Sequence, residues 1–235
     1  MITRALALIL VGLALAACRS DPYATIESLV GREAGPRVLL MPIDLELSEV
    51  AAGGLVEPKA AWTDTARTLM TAALAELLAE RRATLVPYSA PADDPGRAAL
   101  HDQLIKLHDT VGEAILVHHY EPSFRLPGKG ERLDWSLGPP VALLHHEFDA
   151  DYALSIFFRD SYKSAGRTAA MAVAAPLSFL GVGLSGGAQV GVASLVDLRT
   201  GAVVWFNRLI RNQGELRSAD GARESVATLL EGFPP

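Results

Sequence analysis

The chain alternates between two kinds of hydrophobic pattern. Continuous apolar runs at residues 36–44 and 150–161 predict strands that are covered on both faces. Apolar residues at three- and four-residue intervals predict two long helices, at residues 60–82 and 97–119, because such residues share one face of a helix. A short strand is predicted at residues 83–88, directly after the first helix.

Each predicted helix has an apolar stripe that we expect to face the core. The stripe of the first helix comprises Trp62, Ala66, Leu69, Met70, Ala73, Leu77 and Leu78. The stripe of the second helix comprises Leu100, Leu104, Leu107, Val111, Ala114, Ile115 and His118.

The segments between and after these elements have weaker patterns. Residues 45–59 are predicted to form a loop, and residues 121–140 form another, because they contain four prolines and no period. A short helix is expected at residues 141–148. Residues 189–211 predict a β-hairpin in which Gly201 supplies the left-handed conformation of a type I turn followed by a bulge.

The last predicted element is a helix capped by Ser218, with Ala222, Val226, Leu229 and Leu230 at helical spacing. The order is strand, helix, strand, helix, short helix, strand, hairpin, helix. Alternation of strands and helices followed by a hairpin predicts an α/β fold with a mixed sheet and flanking helices.

The N-terminus has the pattern of a secretory signal. Arg4 precedes 13 apolar or glycine residues, 5–17, a run too short for a membrane-spanning helix, which needs about 20 residues. Leu15-Ala16-Ala17-Cys18 resembles the bacterial lipobox, and Cys18 is the only cysteine of the chain. The resemblance implies cleavage before Cys18, a diacylglycerol on its thiol, an acyl chain on the new amine and attachment to a membrane. The alternative is an ordinary signal peptide with a chance cysteine.

Composition narrows the remaining options. Removing residues 1–17 of 235 leaves 218, and loss of Arg4 changes the formal net charge from −6 to −7, so nothing favours binding to nucleic acid. The residue after the cysteine, Arg19, resembles that of lipoproteins sorted to the outer membrane. We expect a tether at residues 18–35 and a single domain at residues 36–235, with a loop insertion at 121–140.

Three stretches resemble a group of envelope lipoproteins that includes the curli-secretion lipoprotein, the lipoprotein activators of peptidoglycan synthases and the N-terminal domain of TolB. They are RVLLMPID at residues 37–44, DADYALSIFFRDS at 149–161 and ASLVDLRTGAVVWFN at 193–207. The resemblance implies an α/β fold in the cell envelope and a role in binding or assembling other envelope proteins, and we expect no cofactor. None of the three stretches is a catalytic motif.

Two other motifs suggest chemistry that we do not expect. Gly181-Val182-Gly183-Leu184-Ser185-Gly186 fits a dinucleotide-binding pattern, but a strand-like run follows it where that site needs a helix, so no nucleotide is predicted. The pairs His118-His119 and His145-His146 fall at predicted helix ends, where we expect structural or surface roles. A metal-dependent enzyme that uses both pairs is the alternative.

The chain has no charged residue from Thr168 to Val196, and residues 168–189 are rich in glycine and alanine. Three interpretations fit this segment: a part packed on the sheet, an exposed arm that docks on a partner or a second subunit, or a segment that enters the membrane. A pore-forming oligomer is a further alternative for the whole protein.

We therefore expect a non-catalytic outer-membrane lipoprotein that faces the periplasm and assembles partners in secretion or cell-wall synthesis. The expected partner-binding residues are Asp134, Trp135, Ser136, Leu137 and Gly138. Tryptophan at an interface buries a large area and keeps one hydrogen-bond donor. In the alternative interpretation, Trp135 only holds this loop on its own domain.

Overall fold

The computed structural model describes residues 18–174, 187–212 and 214–235. Within these ranges the chain forms one mixed sheet of nine strands with helices on both faces, as the sequence predicts. The strands are β1 (Cys18–Ser20), β2 (Tyr23–Ala24), β3 (Arg37–Leu40), β4 (Asp44–Val50), β5 (Val56–Pro58), β6 (Thr84–Pro87), β7 (Tyr152–Lys163), β8 (Gln189–Asp197) and β9 (Val203–Arg211). The α-helices are α1 (Ala60–Glu80), α2 (Pro95–His118), α3 (Ala142–Phe148), α4 (Ala165–Ala174) and α5 (Ala219–Leu229).

The long strand β7 organises the sheet. One of its edges pairs in parallel with β3 at Val38↔Tyr152 and, further along, with β4 at Asp44↔Phe157. Its other edge pairs antiparallel with β8, which pairs in turn with β9. β6 extends the sheet beyond β3, and β5 extends it beyond β4.

The prediction for residues 45–59 is wrong. This segment contains most of β4 and all of β5, and the predicted strand at 36–44 ends earlier, at Leu40. Leu45 and Leu47 point into the core while Glu46 between them is exposed, which is the period-two pattern of a half-buried strand. This alternation of apolar and polar residues is present in the sequence, but it is short and two glycines follow it, which favoured the prediction of a loop.

The two faces of the sheet carry separate cores. α1 and α5 cover one face, where Met70, Leu74 and Val226 are fully buried. α2 and α3 cover part of the other face, where Ile115 and Leu144 are buried.

The predicted stripe of α1 lies in the core as expected, but that of α2 does so only in part. Leu100 and Leu107 keep 49% and 38% of their surface exposed, and the buried face of α2 includes His101 instead. His101 is buried because its two ring nitrogens reach Tyr88 Oη at 3.1 Å and Glu147 Oε2 at 2.9 Å.

The predicted hairpin turn is confirmed. Gly201 has φ +76°, and its N–H donates to the Asp197 carbonyl at 2.8 Å. A Cβ atom at this position would lie 2.4 Å from the Gly138 carbonyl oxygen. Gly201 is therefore required both by the left-handed backbone and by the close approach of the 121–140 loop.

The C-terminal helix also begins as predicted. Ser218 is the N-cap of α5, and its hydroxyl accepts a hydrogen bond from the Gly221 N–H at 3.3 Å. Ala222, Val226 and Leu229 on the inner face of this helix are fully buried.

We predict that Gly201→Ala lowers the free energy of unfolding by about 1–3 kcal/mol or more, because it adds backbone strain and a clash with Gly138. Urea unfolding measures this. Gly53→Ala is the matched control, since a Cβ at Gly53 meets no atom within 4 Å, and it should change stability by less than about 0.5 kcal/mol. Equal effects of the two substitutions would contradict this role of Gly201.

Candidate functional site

Residues 18–24, expected as part of a tether, lie along the outer edge of the sheet. β1 pairs antiparallel with β9 at Cys18↔Arg211 and Ser20↔Leu209, and β2 continues the pairing at Tyr23↔Phe206. A group attached to residue 18 is therefore held beside the end of β9.

Side chains reinforce this edge. The Arg208 guanidinium lies 3.2 Å from the Asp21 carboxylate, and the Tyr120 hydroxyl donates to the Asp21 carbonyl at 2.6 Å. The Ser20 hydroxyl and the Asn207 amide are hydrogen-bonded, although they lie 187 positions apart in the chain.

The end of the sheet at Cys18 also carries exposed apolar side chains. A row of paired residues crosses the sheet at the level of Cys18, namely Arg211, Gln189, Asp160 and Leu47. The tip between β4 and β5 extends past this row, and its Leu55 and Val56 are 66% and 54% exposed. α4, which contains the first residues of the uncharged segment, begins at this end too.

The predicted partner-binding loop lies at the opposite end, against the hairpin turn. The Leu137 N–H donates to the Gly201 carbonyl at 2.8 Å, and the Val203 N–H donates to the Trp135 carbonyl at 2.9 Å. The Ser136 hydroxyl donates to the Gly201 carbonyl at 3.0 Å and accepts from the Gly138 N–H at 2.9 Å. These bonds fix the loop backbone on its own domain.

Trp135 is half-buried in this arrangement. Its ring carries the Lys129 ammonium 4.5 Å above the centroid and stacks on the His118 ring at 6.4 Å. Asp134 and Ser136 on either side are exposed, whereas Leu137 is buried in the second core. Trp135 thus contacts its own domain, as the alternative interpretation expects, and partner binding at residues 134–138 stays a prediction.

The two ends are well separated. β9 runs from the hairpin turn to the partner of Cys18 in nine residues, which corresponds to about 27 Å at the usual rise of a strand. Residue 18 and the 134–138 loop therefore lie at opposite ends of β9.

The histidine pairs have protein partners rather than a shared site. His118 Nδ1 lies 2.7 Å from the Phe124 carbonyl, and His145 Nδ1 lies 2.6 Å from the Ala150 carbonyl. Among the residues that the structure describes, no three His, Cys, Asp or Glu side chains converge in a way that could hold a metal ion.

Of the four histidines in the two pairs, His119 is the buried one. It is 4% exposed, its ring meets that of Tyr23 edge-on at 4.2 Å, and its Nε2 has no hydrogen-bond partner among the described residues. Burial lowers the pKa of His119, and the nearby Arg125 adds to this. His119 therefore favours the neutral form in the folded protein.

A cleft that the sequence did not predict lies between α2 and the sheet. Its volume is about 630 Å³, within the range of small-molecule sites. Its walls include Ile105 and Leu116 of α2, and Val192 and Phe206 of the sheet. A sequence feature that could have indicated this cleft is Gly112, which lies inside the apolar pattern of α2 and lines the cleft.

The floor of the cleft is polar. His108 Nε2 and Ser194 Oγ share a hydrogen bond 2.6 Å long, and His108 Nδ1 lies 3.4 Å from the Asp109 carboxylate. The serine, histidine and aspartate follow one another in the order of a catalytic triad. Ser194, however, is only 2% exposed. It lies inside β8, whose backbone pairs with β7 on one side and β9 on the other. Neighbouring N–H groups are therefore committed to the sheet, which favours binding over acyl transfer.

The remaining predicted features fall partly outside the described residues. The glycine motif at residues 181–186 lies outside them, as do residues 175–186 of the uncharged segment. Across the described ranges, every helix is too short or too polar to cross a bilayer.

No protein-family model and no curated protein matches the chain. Its fold is similar to that of the PelC dodecamer from Paraburkholderia phytofirmans, at 14% identity and a TM-score of 0.41, over 91% of this chain and 94% of that one. It is also similar to lipoprotein GNA1162 from Neisseria meningitidis, at 16% identity and a TM-score of 0.35, over 83% and 94% of the two chains. A third similar structure, the LpoB C-terminal domain from Salmonella enterica, has 15% identity and a TM-score of 0.27 over 78% and 87%.

We predict that His119 makes the protein less stable in mild acid. Because the pKa of His119 is lowered in the folded state, the unfolded chain binds more protons below the ordinary value of about 6.5, and stability falls as the pH falls through that window. Urea unfolding at several pH values between 7 and 5 should therefore show a smaller loss for His119→Phe than for the unchanged protein. Equal losses would contradict a buried, neutral His119.

Proposed function

We propose that this protein is a non-catalytic lipoprotein of the outer membrane, facing the periplasm, that binds a protein partner of an envelope machine for secretion or cell-wall synthesis. A diacylglycerol and an N-acyl chain at Cys18 form its membrane anchor. The observation that carries the proposal is the pairing of β1 with β9, because it places the lipobox cysteine itself in the sheet.

Because of this pairing, no linker separates the proposed lipid anchor from the sheet. Two or three acyl chains bind a bilayer firmly, since each buried CH₂ contributes about 0.8 kcal/mol. With residue 18 already in the sheet, the acyl chains hold the adjacent end of the domain at the headgroups. The exposed Leu55 and Val56 at that same end support this orientation, because apolar side chains are favoured at a bilayer surface.

The partner-binding surface in this proposal is the loop at the other end, residues 134–138. Its backbone is fixed by hydrogen bonds to the hairpin turn, so little ordering entropy is lost on binding. Asp134 and Ser136 project from it into solvent. A rigid loop about 27 Å from the anchor is well placed to meet a partner in the periplasm.

We predict that Cys18→Ser abolishes anchoring. The thiol is the only atom that the lipid transfer can use, so the variant should incorporate no labelled palmitate and should remain uncut at residue 17, while the unchanged protein is labelled, cut and found with outer membranes. Metabolic labelling, mass spectrometry and membrane fractionation measure these outcomes. Labelling of the serine variant, or an uncut and unlabelled parent, would contradict the anchor.

We predict that a photo-crosslinking amino acid at position 134 captures a discrete partner in intact cells. Asp134 is exposed beside the proposed surface, and Asp102, an exposed aspartate on α2, is the matched control position. The adduct should form from position 134, be absent from position 102 and disappear with Cys18→Ser. An adduct of twice the protein's mass would identify a second copy as the partner. Equal adducts from both positions, or none from 134, would contradict a binding surface at this loop.

A further inference from the structure

The cleft under α2 is a separate feature that neither the anchor nor the 134–138 loop explains. It lies between the half-buried side chains of α2 and the face of β7, β8 and β9. The second core packs against the rest of this face, and the open cleft of about 630 Å³ is within the size range of small-molecule sites.

Gly112 lines the cleft from the α2 side. It stands in the interior of α2, where glycine costs about 1 kcal/mol relative to alanine, and a Cβ atom there would meet nothing within 4 Å. Neither turn geometry nor crowding therefore requires glycine at this position. The open space beside Gly112 leaves room for a side chain larger than that of alanine, which would occupy part of the cleft.

The polar groups of the cleft are grouped in two places. At the floor, Ser155 and Ser194 face each other across β7 and β8, and Ser194 also bonds to His108. On the α2 side, Asp109 and Glu113 stand one helical turn apart. Two like charges at this spacing repel, so the pair slightly destabilises the helix unless a cation lies between them.

The charge of the lining is one-sided. Its ionisable residues besides His108 are Asp44, Asp109 and Glu113, and neither lysine nor arginine is among the described residues that line it. Arg159 neutralises Asp44 at 2.7 Å from just outside the cleft. The negative charge of Asp109 and Glu113 is left at the rim, where it would repel fatty acids and other anions.

We propose that this cleft binds a small apolar molecule that carries a cationic head group. The apolar body lies between Ile105 and Leu116 on one side and Val192 and Phe206 on the other, and the cation lies at Asp109 and Glu113. Hydrogen-bonding groups of the ligand reach Ser155 and the His108–Ser194 pair. This proposal does not depend on the lipid anchor.

Three ligands with the same ten-carbon chain test it: decylammonium and decanoate, each below its micellar concentration, and decanol, below its solubility limit. The protein is the full mature chain with Cys18→Ser, so that no acyl chain competes, and its cooperative unfolding is checked first. Amide chemical shifts report binding and its position. Decylammonium should bind at the cleft at least 10-fold more tightly than decanoate.

Substitutions separate the contributions of shape and charge. Gly112→Leu should fill the cleft and weaken decylammonium binding at least 10-fold, whereas Gly112→Ala, the matched control, should bind as the parent does; thermal melting confirms that both variants fold. Asp109→Asn combined with Glu113→Gln should weaken decylammonium and leave decanol unchanged. The proposal would be overturned if decylammonium did not bind, or if it bound no more tightly than decanoate. It would also be overturned if neither Gly112→Leu nor the charge variant changed the affinity for decylammonium.

Discussion

The backbone pairing of residues 18–24 with β9 is the constraint on which the rest of the account depends. Without β1 and β2, the outer edge of β9 would present unpaired N–H and C=O groups, an arrangement that proteins usually avoid because such edges pair with other chains. Closing that edge with the residues that begin at Cys18 satisfies those groups. It also joins the proposed site of lipid attachment to the core, since β2 pairs with Trp205, which is fully buried.

This constraint gives the domain two distinct ends and two distinct faces. One end holds residue 18 and the exposed apolar tip at Leu55, and the other holds the hairpin turn with the 121–140 loop fastened to it. One face is closed by α1 and α5, and the other is covered incompletely by α2, which leaves the cleft lined by Gly112. Anchoring, partner binding and ligand binding are thus assigned to different surfaces and can be tested separately.

The sequence predicted the elements whose signals are local. The stripe of α1, the strand β7, the Gly201 turn and the Ser218 cap follow from periodicity and from the conformations of single residues. The pairing of Ser20 with Asn207 could not be predicted in this way, because its partner lies 187 positions away and the segment itself has no period. The cleft was missed for a related reason: Ser194 and His108 meet only through the packing of α2 on β8, and a space between elements has no pattern of its own. The contacts of Trp135 needed the hairpin turn to be in place before they could be assigned.

The most direct test of the account is the distance of the two ends from a bilayer. Cys18 is the only cysteine, and the proposed lipidation would consume it. A cysteine introduced at exposed Asn212, which follows the partner of Cys18, or at Asp134 can then carry a single nitroxide label. In vesicles containing a nickel-chelating lipid, the label at 212 should relax much faster than the label at 134. Equal relaxation at the two positions would show that the domain is not held by its β1 end, and the arrangement proposed for the anchor and the partner surface would be wrong.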